Sequence, residues 1–187
     1  MSRFADLPRD AWGADLSAAV DAMTPPGREP APLFPPFAHS VRAWEKFAGG
    51  SLSGQGPLSA FERETVILRT AARTGGEFEW TMHRKLFATK AGLSPEQVAA
   101  TFAGAAGDAA WGEPGATLVA TVDALLDRKK LTDAEFARLR AQYDEAQILE
   151  IVQLVAFYHG VSLICGALDI QPDPALGRFP TEDTQHA

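Results

Sequence analysis

The chain has 187 residues and a formal net charge of −7 with no basic cluster, which argues against nucleic acid as a partner. Nearly half of the residues are apolar, enough for one domain with a real core, and the charged start MSRFADLPRD lacks the apolar run of a secretory signal. Cys165 is the only cysteine, so an intramolecular disulfide and a cysteine-rich metal site are excluded, and a cytoplasmic setting is expected.

Residues 1–37 read as an N-terminal arm. A short helix is expected over 10–23, followed by PPGREPAPLFPPF, too rich in proline for a helix or an inner strand. Its Leu33, Phe34 and Phe37 suggest a segment that lies on a surface rather than a free linker. A helix over 39–47 and the flexible break GGSLSGQGP come next. That break is no phosphate loop, because it lacks Gly-Lys-Ser/Thr and a preceding strand.

From Ser59 onward the chain reads as a succession of helices. Ser59 and Glu62 form a capping box that opens a helix over 60–73, which Thr74-Gly75-Gly76 ends. A second helix is expected over 77–91, stopped at Gly92. Ser94-Pro95-Glu96-Gln97 opens a third, and another is expected over 117–128. Thr132 with Glu135 and Asp144 with Gln147 box the last two starts. The final helix runs to about residue 167, and a polar tail fills 171–187. Residues 148–168 are long and apolar enough to suggest a membrane span. Glu150, Gln153 and His159 are costly in lipid, and the flanks lack anchors, so a helix buried in a core or subunit interface is expected instead. No strand is expected, and the class is all-α, with a helical domain over 38–170.

The chemistry gathers at one predicted hairpin. Glu79 and His83 are four residues apart and share a helix face. Glu64 lies eleven residues before Gly75 and His83 eight after it. At about 1.5 Å per residue their levels differ by about one turn if the chain reverses at the glycines. Two carboxylates and an imidazole in one pocket would offer a proton donor and acceptor near neutral pH. An exposed Glu/His pair neutralised by nearby arginines is the plain alternative. A Glu-x-x-x-His metal pair is conceivable, but no third and fourth ligand is visible, so neither metal nor cofactor is expected. Trp80 could wall the carboxylate or sit in the core. Tyr158 and His159 could complete a substrate pocket or form a buried polar pair. Cys165 reads as a small buried apolar residue.

The stretch LSAFERETVILRTAARTGGEFEWTMHRKLFATKAGLSPEQVAA resembles the signature of the carboxymuconolactone decarboxylase family, which includes the alkylhydroperoxidase D-like proteins. FYHGVSLICGALDIQPDP resembles that family's closing segment, and the likeness covers 38–174. It implies an alkylhydroperoxidase D-like helical fold with a central antiparallel helical hairpin, assembled as homotrimers or hexamers. In the peroxidase branch the two thiols would fall at Gly76 and Glu79, where this chain has none, so dithiol peroxidase chemistry is not expected. The chain is similar to a longer subgroup that lacks the Cys-x-x-Cys pair. The decarboxylase branch is similar in having Glu at 79 and His at 83. This implies a cofactor-free lyase or isomerase acting on a small organic acid or lactone, with Glu64, Glu79 and His83 catalytic and Trp80, Tyr158 and His159 binding substrate. The rival expectations are a non-catalytic oligomeric ligand-binding or scaffold protein and, further off, antioxidant activity through Cys165.

Overall fold

A computed structural model describes residues 2–52 and 54–180, and among these the chain is all-α, as the sequence predicts. Eight α-helices follow one another: α1 Ala14–Met23, α2 Val41–Gly50, α3 Ala60–Arg73, α4 Glu77–His83, α5 Pro95–Ala103, α6 Glu113–Arg128, α7 Asp133–Arg140 and α8 Glu145–Leu168. The three predicted capping boxes form, at Ser59/Glu62, Thr132/Glu135 and Asp144/Gln147, and a fourth closes Ser94 with Gln97 at the helix start marked by Pro95. Each satisfies orphan N–H groups at a helix start, which is why these boundaries are sharp.

Several boundaries differ from the sequence reading: α1 starts at Ala14 rather than 10, and α2 runs Val41–Gly50 rather than 39–47. α6 starts earlier, at Glu113, because Gly112 caps it and Pro114 fits the first turn. The single helix expected over 77–91 is α-helical only to His83 and then widens into a π-turn over Arg84–Ala88. Such turns recur at functional sites, and this one begins beside the candidate histidine. Gly92, at φ +88°, then closes the segment, with the Leu93 N–H bonding the Ala88 carbonyl.

α3 is the central helix, and α4, α5, α6 and α8 all pack on it. Val66 and Ile67 of α3 meet Leu118 and Val122 of α6 and Ile151 and Leu154 of α8 in one core. On its other side Leu68 and Ala71 pack with Trp80 and Leu93. Between them, Arg69 forms a bidentate pair with Asp123 at 2.8 and 2.7 Å and donates to the Thr101 and Gly104 carbonyls. A buried guanidinium needs such full pairing, so this tie pins α3, α5 and α6 together.

The N-terminal segment is part of the core. Trp12, Leu16, Val20, Leu33 and Phe37 are buried with Trp44 of α2 and Phe78, Val161 and Cys165. At roughly 1.5–3 kcal/mol per buried large side chain, its docking is a major term in stability. The Arg3 N–H also bonds the Leu168 carbonyl. Phe179 of the tail packs on Trp80 and Phe102, and its N–H bonds the Glu77 carboxylate.

α8 is 24 residues long and, by length and composition, apolar enough to cross a membrane. In this fold one face is buried, with Ile151, Leu154 and Val155 against α3 and Val161 and Cys165 against the N-terminal segment and Phe78. The opposite face carries Leu149, Val152 and Leu163, all exposed.

Candidate active site

The α3–α4 turn is built by two glycines. Gly75 adopts φ +71°, a conformation that side chains rarely take. Gly76 has an ordinary φ of −76° but no room, because a Cβ there would collide with the Ser162 hydroxyl of α8. Ser162 Oγ lies 2.7 Å from Thr74 Oγ1 and donates to the Tyr158 carbonyl. The hairpin is therefore pressed directly onto α8.

That reversal brings Glu64 and His83 together. His83 Nδ1 and Glu64 Oε2 stand 2.7 Å apart. Glu64, Glu79 and His83 are 5 %, 1 % and 6 % exposed, so the plain alternative of a solvated surface pair does not describe them. None of the three has an arginine partner among the described residues. The His83 ring lies between Phe87, 5.1 Å away, and Tyr158, which meets it edge-on at 5.3 Å. Burial pushes the Tyr158 hydroxyl well above its ordinary range, and the charges of Glu64 and Glu79 push it further, so it stays a neutral donor.

Glu79 points to α8. Its Oε2 accepts from the Cys165 thiol at 3.5 Å, its one side-chain bond among the described residues. Burial raises its pKa from 4.5 to about 8, and the weak thiol bond opposes only part of that rise. Near neutral pH Glu79 is therefore mostly a neutral carboxylic acid. The same burial and the Glu79 charge drive the Cys165 thiol strongly upward, the reverse of what a nucleophilic thiol needs.

The structure does not bring every predicted residue to this cluster. Trp80 turns away, because consecutive helical residues diverge by about 100°. Its indole N–H donates to Thr101 Oγ1 in the core beside Phe102 and Phe179. Its expected place in the substrate pocket is thus corrected to the core. His159 is half-buried, one position round α8 from Tyr158, and its side chain makes no hydrogen bond among the described residues. Cys165 is buried, as expected from the sequence, but its contact with Glu79 was not foreseen. Tyr158, Ser162 and Cys165 fall at i, i+4 and i+7, a helical register that marks them as one face.

Among the described residues, no group of three His, Cys, Asp or Glu side chains is arranged to hold a metal ion. A surface concavity of about 610 Å³ is lined by Gly54, Gln55, Gly56, Leu58 and Arg63, and none of the cluster residues lines it. A smaller one of about 220 Å³ lies between α1 and α2, lined in part by Phe37 and Trp44.

The fold is similar to that of solved structures. An uncharacterised peroxidase-related protein from Silicibacter sp. TM1040 superposes with a TM-score of 0.75 at 16% identity, over 94% of this chain and 95% of that one. An alkylhydroperoxidase AhpD core protein from Ralstonia eutropha JMP134, also uncharacterised and peroxidase-related, gives 0.73 at 13% identity, with 94% of each chain covered. An AhpD-type protein of unknown function from Agrobacterium tumefaciens gives 0.65 at 20% identity, over 73% of this chain and 94% of that one. No curated protein matches the sequence. Residues 38–122, from the turn before α2 into α6, match the model of the carboxymuconolactone decarboxylase family. Over that stretch the chain is similar to the carboxymuconolactone decarboxylase family, and its fold is that of the AhpD-like structures.

Proposed function

We propose that the protein is a lyase or isomerase that moves protons on a small organic acid or lactone, using side chains alone. The observation that carries this reading is the buried Glu64–His83 pair beside a buried, neutral Glu79. A carboxylate at Glu64 accepts the Nδ1 proton, which leaves His83 Nε2 with a free lone pair. His83 is then the base, Glu64 orients and stabilises it, and Glu79 is the proton donor. Two acids in one fold with different environments are a recurring way to separate these roles. The edge of Tyr158 positions the imidazole and offers a further donor to a substrate oxygen.

The antioxidant reading has less support. Gly76 and Glu79 stand where the two thiols would be, and the room for a side chain at 76 is filled by Ser162. Self-association is part of the proposal. Leu149, Val152 and Leu163 leave an apolar stripe on α8 that a lone chain exposes, and trimers or hexamers would cover it. A cytoplasmic setting fits the single thiol.

The test is carbon dioxide release from γ-carboxymuconolactone by wild type and by His83→Ala. Release that falls by roughly 10²- to 10⁴-fold in the variant is the expected result for loss of a general base. Undiminished release would remove His83 from the chemistry. No release by wild type would rule out this lactone as the substrate.

A further inference from the structure

Glu64, Glu79 and His83 are nearly closed to solvent, and neither concavity described above has any of them in its walls. A substrate therefore reaches His83 only if some segment moves. Two rings cover the imidazole. Tyr158 belongs to α8, which packs along α3. Phe87 belongs to the π-turn, where it is 41 % exposed beside Leu86 at 43 %. Moving Phe87 exposes little surface that is not already wet, so it is the cheaper of the two to displace.

The C-terminal tail holds the segment that carries Phe87. Glu77, Trp80 and Arg84 fall at i, i+3 and i+7 and share one face, distinct from the face of Glu79 and His83. The tail grips all three. The Glu77 carboxylate accepts from the Phe179 N–H at 2.8 Å and lies 3.5 Å from the Arg178 guanidinium. The Phe179 ring packs on Trp80 and on the core cluster that includes Ala88, the last residue of the π-turn. Arg84, the first residue of that turn, donates to the Leu176 carbonyl at 2.8 Å, with its guanidinium 5.2 Å from the centre of the Trp80 ring. Gly177 fits this grip, since it has φ +86° and a Cβ on it would stand 2.9 Å from Arg84 Nη2. The tail thus fixes both ends of the turn. Its own hold is thin, because none of residues 174–180 is fully buried. Its release costs far less than unfolding the helices beneath it.

We propose that residues 174–180 form a strap that keeps the π-turn closed over His83, and that its detachment lets Phe87 swing aside and admits substrate. This rests on the reading of His83 as the reacting base, but access to His83 can be measured without turnover.

The experiment is labelling of the full chain with diethyl pyrocarbonate, which acylates a free imidazole nitrogen, with each histidine read by peptide mass spectrometry. Exposed His39 is the reference, and hydrogen exchange of the α3 amides reports global opening. In wild type His83 should label more slowly than His39. Urea below the unfolding transition should hardly change the His83 rate while it steeply speeds α3 exchange, because release of a strap exposes little surface. Phe179→Ala should speed His83 labelling roughly ten- to a hundredfold, the loss of one partly buried aromatic contact from the closed state. Phe87→Ala should speed it with the strap still docked. Four results would each overturn the proposal: His83 labelling as fast as His39 in wild type, a His83 rate unchanged in Phe179→Ala, a rate unchanged in Phe87→Ala, or a urea dependence that matches α3 exchange. If His83 labelling follows the strap while His83→Ala keeps full turnover of γ-carboxymuconolactone, the gate stands and the proton-transfer reading falls. If turnover needs His83 but Phe179→Ala leaves its labelling unchanged, the reverse holds.

Discussion

Glu79→Gln should change how stability depends on pH more than it changes stability at any one pH. In the fold the carboxyl ionises at about 8, against 4.5 when exposed. Between those values the folded chain holds a proton that the unfolded chain has released. Stability from this group is thus fully present below about pH 4.5 and is lost as pH rises through about 8. At 1.36 kcal/mol per pKa unit, the total loss is about 5 kcal/mol, with a slope of at most about 1.4 kcal/mol per pH unit. Glutamine keeps the size and neutrality and has no proton to lose. The assay is urea unfolding of both proteins at one concentration between about pH 5 and pH 9, taking the difference so that all other titrations cancel. The variant should match wild type or fall slightly below it at acid pH, and should gain on it steadily as pH rises. If the two curves run parallel to within about 1 kcal/mol, Glu79 is not a neutral acid in the fold, and its role as proton donor falls as well.

Three further perturbations test the surroundings. Gly76→Ala should cost about 1–3 kcal/mol by overpacking against Ser162, and Ser162→Ala should return part of that cost, a non-additivity readable by thermal denaturation. Asp123→Ala strips the partner from a guanidinium that is 3 % exposed and should destabilise by about 3 kcal/mol or more; an effect below about 1 kcal/mol in chemical denaturation would mean the pair is not needed. Leu163→Glu places a charge on the exposed apolar stripe of α8 and should lower the mass in light scattering if the proposed self-association uses this face, while leaving far-ultraviolet dichroism unchanged; an unaltered mass would remove this face from the proposal.

The parts of the fold that were legible in the sequence are those set by local chemistry. Four side-chain pairs three residues apart fix four helix starts, because each supplies the orphan N–H groups of its own first turn. Gly75 and Gly92 mark the ends of their segments because both need φ above zero. What was not legible depends on distant partners. Nothing local distinguishes an arm that lies on a surface from one that buries Leu16 and Val20, since the faces that cover them, Val161 and Cys165 among them, come from α8, well over 100 residues later. The π-turn after His83 is likewise absent from the residue pattern, which reads as continuous helix.

The site follows the same division. The spacing of Glu64 and His83 about the glycine turn was sufficient to predict their meeting, because two helices and a reversal leave one parameter, the level along the axis. The direction of Trp80 was misjudged because adjacency in sequence was read as adjacency in space. On a helix, neighbours of Glu79 that share its face are three or four positions away, so His83 qualifies and Trp80 does not. The contact of Cys165 with Glu79 was missed for the opposite reason. Its partner lies 86 positions earlier in the chain, and only the position of α8 over the hairpin joins them. That placement makes a small buried residue the side-chain hydrogen-bond donor to a buried acid. Replacing it with alanine removes a bond that lowers the Glu79 pKa, so Cys165→Ala should push the basic limb of a pH–rate profile upward. A purely packing role for the thiol would slow the reaction, if at all, without moving that limb.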